Sequence, residues 1–299
     1  MTLPVFWELV ELKAKTASIL PFLIGLCFSW YHYDSIHLGL VFLYFVSMVL
    51  FNMFVDVWDN YNDYINAKDD VYQRQTNIIG REGLDLASIR RLLLILFASS
   101  LAIGLLLAYQ VGWPLLVMGG FCYAVGIFYS FGPKPLSSLP LGEVFSGFTM
   151  GFVITLICVF LNTYQSFSWA SKDLWYIALI SLPNTIWIAN LMLANNLCDV
   201  EEDERNHRYT LVHYTGKKGA LMLFSIANVI AFVAIMMAYV VGIAPVSVLL
   251  TLLLIPFVYG QSKQLWQKQV KSETFPCAIR ILALGASCQV LTYSFVFLF

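Results

Sequence analysis

Nine stretches of this 299-residue sequence are long and apolar enough to cross a lipid bilayer, near residues 16–32, 36–58, 92–111, 113–131, 141–162, 174–196, 219–241, 243–260 and 277–299. A spanning helix needs ~20 mainly apolar residues for a hydrocarbon core of roughly 30 Å. The predicted fold class is therefore an all-α integral membrane protein. It is read as a single domain over 1–299, about nine transmembrane helices in one bundle with two Asp-rich cytoplasmic loops. The composition agrees, with 60% hydrophobic and 12% charged residues; a soluble domain carries about 25% charged, and the excess apolar surface here needs lipid to cover it.

The residues before the first run contain Glu8, Glu11, Lys13 and Lys15 and are followed by no small-residue cleavage site. They read as an amphipathic surface helix, with Val5, Phe6, Leu9, Val10 and Leu12 towards the lipid and the charges outward. Numbering the spans from the N-terminus, 16 of the 17 Lys and Arg fall on the N-terminal side of the membrane, and only Lys172 lies opposite. The positive-inside rule makes that side cytoplasmic and the protein multi-pass in the plasma membrane. A net charge of −1 offers no global field to recruit nucleic acid. The six cysteines have neither zinc nor redox spacing and read as small packing residues.

Two acidic clusters interrupt the apolar pattern. The first, at the end of span two, contains Asp56, Asp59, Asn60, Asn62, Asp63 and Asp69; the second, at the end of span six, contains Asn195, Asn196, Asp199, Glu201, Glu202, Asp203 and Glu204. Four spans separate them, an even number, so both emerge on the same face. Within each, the spacing is helical: Asn52, Asp56, Asp59 and Asp63 recur every three or four residues, as do Asn195 or Asn196, Asp199 and Asp203. Stacked carboxylates repel one another by a few tenths of a kcal/mol, and more at the edge of hydrocarbon. A cation relieves that repulsion, and ligation by oxygen alone suits Mg²⁺. Magnesium completes its shell with phosphates and water, so two facing rows would hold a diphosphate between them. Solvated loop acids are the bland alternative, and the equivalent positions of two such rows argue against it.

Basic residues accompany the acids. Lys134 lies in Tyr129-Ser-Phe-Gly-Pro-Lys134-Pro, where the prolines stop both flanking helices. Arg74, Arg81 and Arg208 lie beside the acidic clusters. Such cations would neutralise a diphosphate leaving group, although topogenic bias also places cations on this face. The 16% of aromatic residues would suit an allylic cation, while membrane packing accounts for most of them. The four histidines form no ligand set.

At these residues the sequence resembles the UbiA superfamily of intramembrane prenyltransferases, and within it the 1,4-dihydroxy-2-naphthoate polyprenyltransferase branch. The resemblance is carried by Asn195-Asn196-x-x-Asp199-x-x-x-Asp203 followed by Arg208-x-Thr210-Leu211. Phe131-Gly-Pro-Lys134-Pro-Leu136 with Leu141-Gly142-Glu143, and Lys13-x-Lys15-Thr16, also contribute. Departures are the reversed order Asp59-Asn60, Cys198 where the branch has Arg, and His207-Arg208 where it has Gly-Lys. The resemblance implies an Mg²⁺-dependent enzyme with Asp59, Asp63, Asp69, Asp199 and Asp203 as metal ligands. Asn52, Asp56, Asn60, Lys15, Asn195, Asn196, Arg74 and Arg81 would bind substrate, and Lys134, Arg208, Asp63 and Asp199 would act in catalysis. A polyprenyl diphosphate would ionise, and an aromatic quinone precursor would attack the allylic cation with loss of CO₂ to give demethylmenaquinol. No nucleophilic side chain is required.

Other readings are another UbiA-type acceptor such as 4-hydroxybenzoate, homogentisate or haem, and a divalent-cation transporter. Transport sites lie near the bilayer midplane, whereas these clusters lie at helix ends. The CDP-alcohol phosphotransferases need Asp-Gly and Ala-Arg pairs, and neither occurs here.

Overall fold

A computed structural model describes residues 1–67, 70–169 and 172–295. Among these residues the chain is helical with no strand, and eight helices are long and apolar enough to cross a membrane. The predicted span at 113–131 is the exception. Its helix, Trp113–Phe128, has only 16 residues. The chain divides into two compact units, Met1–Thr16 with Leu38–Pro135, and Ala17–His37 with Leu136–Phe299.

The first unit holds α1 (Leu3–Leu9), a 3₁₀ turn over Leu12–Lys15, α3 (Leu38–Asn66), α4 (Ile78–Arg81), α5 (Leu86–Val111) and α6 (Trp113–Phe128). The helix between, α2 (Thr16–Tyr33), belongs almost wholly to the second unit. Leu9 and Val10 are fully buried in a cluster with Phe54, Val57, Ile78, Ile79, Ile89, Leu93 and Leu96. The expected lipid face of the N-terminal helix is thus partly a protein-facing one. Leu12, by contrast, stays exposed. Polar clamps tie the long helices together: the Ser47 hydroxyl donates to the Ser100 carbonyl at 2.8 Å, and Tyr123 donates to Ser100 Oγ at 2.8 Å.

In the second unit α9 (Asp173–Arg205) is central, packed by α10 (Leu211–Val240), α12 (Lys271–Ser294) and a rod running from α7 (Gly142–Ser146) through a π-helical segment to α8 (Ile154–Thr163). A 3₁₀ stretch over Val246–Leu254 and α11 (Ile255–Gln267) complete it. The rod approaches α9 through Gly147-x-x-x-Gly151, the small-residue spacing that lets membrane helices meet closely. A Cβ on Gly151 would stand 2.4 Å from the Thr185 Cα. Deeper in α9, Asn184 donates to Gln289 at 3.0 Å and Gln289 donates to the Ile180 carbonyl at 3.1 Å, while Asn184 Oδ1 is buried without a hydrogen bond.

Both acidic rows ride on helices rather than in loops. At 29 and 33 residues, α3 and α9 reach about 44 Å and about 50 Å, beyond a hydrocarbon core of roughly 30 Å. Their C-terminal turns carry the carboxylates. Asp63 and Asp203 fall in the last turn, where the backbone dipole disfavours anions, so helix stability alone does not account for those two acids.

Candidate active site

In the first unit the row Asn52, Asp56, Asp59, Asp63 forms one stripe of α3. Phe51, Phe54, Trp58 and Tyr61 form a stripe on the other side, which stacks against Phe97, Tyr123 and Phe131. Those aromatics pack the unit instead of facing the acids.

The carboxylate stripe already contains a cation. Lys15, 2% exposed, donates to Asn52 Oδ1 at 2.7 Å and to the Asn52 carbonyl at 3.2 Å, and forms an ion pair with Asp56. A buried ammonium needs such oxygens around it. Asp59 is half-buried; its Oδ1 is shut off from solvent without a hydrogen bond of ordinary geometry, beside the Ser130 hydroxyl. Asp63 is exposed and accepts from the Tyr72 hydroxyl at 3.3 Å. Glu11, in a left-handed backbone conformation (φ 46°) just before the 3₁₀ turn, joins this set. Its side chain touches solvent, yet surrounding protein strips enough hydration to raise its carboxyl above the usual range. Lys15 opposes that rise and Asp63 adds to it. The sequence placed Glu11 among outward charges, and no spacing signal marks it.

Asn60 turns its amide back onto the Asp56 carbonyl at 3.0 Å, while its own carbonyl accepts from Asn77 at 2.9 Å. Asn77 also caps α4 through Ile79 N–H. Arg74 is exposed, and Arg81 is engaged by Glu8 at 2.7 Å and Glu82 at 3.1 Å. Lys134 is exposed on the Pro133–Pro135 turn, with no ion pair among the described residues. Asp69 lies outside the described residues.

In the second unit Asn196, Asp199 and Asp203 share one stripe of α9. Asn196 is buried and donates to Glu143 Oε1 at 2.8 Å, whereas Asn195 is half-buried. Asp199, 17% exposed, pairs with Lys271 at the start of α12. Asp203 is 5% exposed, and Arg208 Nε stands 3.4 Å from its Oδ1. Its Oδ2 is buried without a hydrogen bond. Arg208 also reaches the Ser137 carbonyl at 3.4 Å, and Tyr209 N–H donates to the Ser138 carbonyl at 3.1 Å, which ties the 136–138 turn to the end of α9. Glu143 and Lys271 escaped the sequence reading as site residues, because one looked like part of a turn motif and the other like topogenic charge.

The donor set fits a hard divalent cation. Every side chain in the two stripes offers oxygen, two carboxylate oxygens are buried without donors, and lysine ammoniums stand in for a cation in both units. Among the described residues no three Asp, Glu, His or Cys side chains converge to enclose a metal unaided. Phosphate and water would have to complete the shell, as magnesium sites ordinarily have it.

The sequence pattern of the UbiA prenyltransferase family matches residues 18–284. The chain belongs to that family. It is a membrane-embedded prenyltransferase. It is 28% identical over 257 residues to the 1,4-dihydroxy-2-naphthoate octaprenyltransferase of Bacillus subtilis (strain 168), covering 84% of this chain and 79% of that one. The fold is shared with a UbiA homolog from Aeropyrum pernix K1 (TM-score 0.69, 21% identity, 95% of this chain and 98% of that one). It is shared as well with a UbiA homolog from Archaeoglobus fulgidus bound to DMAPP and Mg²⁺ (TM-score 0.64, 13% identity, 97% and 99%).

Proposed function

We propose that this UbiA-family enzyme transfers a polyprenyl chain from polyprenyl diphosphate to 1,4-dihydroxy-2-naphthoate, releasing diphosphate and CO₂, at the cytoplasmic face of the plasma membrane. The observation that carries the reading is the pair of all-oxygen carboxylate stripes at helix ends, each with a lysine ammonium inserted. The acceptor follows the Bacillus subtilis relative, and the orientation follows the nine-span count, which takes Trp113–Phe128 as a crossing and so puts 16 of 17 Lys and Arg on one side.

The chemistry asked of these residues is electrostatic. The allylic C1–O bond breaks and its electron pair leaves with the diphosphate. The ring carbon bearing the carboxylate bonds to C1, and the electrons of the departing carboxylate restore the aromatic ring, so the step is redox-neutral. Asp59, Asp63, Asp199 and Asp203, with Asp69, would hold Mg²⁺, which when bound adds positive charge to the leaving diphosphate. Arg208 and Lys134 would stabilise the same charge from protein donors. The apolar spans would keep water from the cation.

The test is to incubate the detergent-purified chain with Mg²⁺, a polyprenyl diphosphate and a panel of aromatic acceptors, read by mass spectrometry. The prenylated, decarboxylated naphthalene-diol should dominate. A product only from 4-hydroxybenzoate would move the acceptor assignment within the family. Divalent-ion flux in liposomes without diphosphate release would replace the enzyme reading with transport.

A further inference from the structure

We propose that Lys271 is a built-in counter-ion that occupies Asp199 in the empty enzyme, so that a divalent cation enters the second carboxylate stripe more readily with the diphosphate than ahead of it. This rests on Asp199 being a metal ligand, as proposed above.

The position of Lys271 is not explained by its own helix. It is the first residue of α12, where the helix dipole disfavours a cation, and its N-cap, Val270, supplies no side-chain cap. Its partner is on another helix: the ammonium pairs with Asp199 of α9, 72 residues upstream. Asp203, one turn beyond on the same stripe, feels the same charge. The ammonium therefore stands where a ligated cation would draw the two carboxylates together.

The two lysines differ in how firmly they are held. The Lys15 side chain is 3% exposed and bound by three oxygens. That of Lys271 is 53% exposed, with one carboxylate partner and the Phe275 ring 6.0 Å from its ammonium. The lysine side of this pair is exposed while Asp199 is 17% exposed; ion pairs open to solvent are worth only about 0.2–1 kcal/mol, and a lysine stem is flexible. Lys271 can leave Asp199 at small cost, and a diphosphate is the stronger, charge-assisted partner to leave it for. Before the diphosphate arrives, a metal must displace the ammonium. Afterwards, Asp199 is free for the metal.

The experiment is a Mn²⁺ titration, followed by EPR, of the full detergent-purified chain without diphosphate. K271Q should bind Mn²⁺ about fivefold more tightly than the parent, near the upper limit for an exposed pair. K271R should match the parent, and K271Q/D199N should lose the gain. A K271Q affinity within twofold of the parent or weaker, a gain that survives loss of Asp199, or no Mn²⁺ binding by either protein overturns the proposal. The comparison needs no turnover. If the parent prenylates no acceptor, the functional reading falls while the counter-ion result still stands or fails by itself.

Discussion

Asn196 of α9 donates its side-chain amide to Glu143 of α7 at 2.8 Å, and both side chains are nearly inaccessible to solvent. The bond lies one helical turn before Asp199, so it fixes the rotation of the stripe that carries the second pair of carboxylates. Glu143→Ala would leave a buried amide without a partner, which costs about 1–3 kcal/mol. The melting temperature in detergent should fall clearly for E143A, while E143Q, which keeps an acceptor oxygen, should stay near the parent. An E143A protein as stable as the parent would show that the bond does not hold α9 in place.

Asp63 and Asp199 sit in different units and are read as ligands of equal importance. Asp→Asn at either should abolish turnover without unfolding the protein, because Asp63 is exposed and asparagine keeps the shape of the aspartate at the less exposed Asp199. Activity in the parent should vanish with EDTA, return with Mg²⁺ and respond poorly to Zn²⁺. If either variant keeps more than about a tenth of parental turnover, less than ~1.4 kcal/mol of barrier has been lost, too little for a primary ligand.

Lys134 and Lys172 are both exposed lysines, which makes them a matched pair. Lys134→Gln should lower turnover about 10²-fold, the scale of one lost oxyanion donor, with topology unchanged in a cysteine-labelling assay. Lys172→Gln should leave turnover intact. Small and equal effects would return Lys134 to the ordinary topogenic charges.

Asp85 caps α5, accepting from both the Ser88 hydroxyl and the Ser88 N–H at 2.9 Å. Those bonds, the hydroxyl first, hold its carboxyl below the usual range. The folded state thus favours the ionised form. The cap's contribution is complete above about pH 4, the unfolded carboxyl's range, and is lost as pH falls through the lower folded value. Asp85→Ala should lower the melting temperature at pH 7 and flatten its decline below about pH 4. A parallel pair of curves would mean that the cap does not contribute.

What could be read from the sequence divides by range. The acid stripes were legible because residues three or four apart on a helix must share a face, and that holds wherever the helix packs. Lys15 was flagged only through the Lys13-x-Lys15-Thr16 resemblance, and its place among Asn52 and Asp56 depends on the packing of α3. Lys271 and Glu143 were illegible as site residues because their partners lie 72 and 53 residues away. No local pattern separates a counter-ion from any other lysine on the basic side. Leu9 and Val10 were assigned to lipid because hydrophobicity cannot tell a bilayer from the Ile78–Ile79 turn that covers them. Helical spacing places both acid rows on the ends of spans, and α3 and α9 continue through Asp63 and Asp203 to Asn66 and Arg205.

The shortness of α6 has a consequence for the lipid around it. Its 16 residues rise about 24 Å, some 6 Å less than a typical hydrocarbon core. Such hydrophobic mismatch is relieved by local thinning of the bilayer, at fractions of a kcal/mol per Å. With α6 as a crossing helix, thinning beside it would bring the headgroup layer inward towards Tyr129 and the Lys134 turn that follow. Reconstitution into thicker bilayers should raise the energetic cost of that mismatch, and turnover measured against lipid chain length would read it.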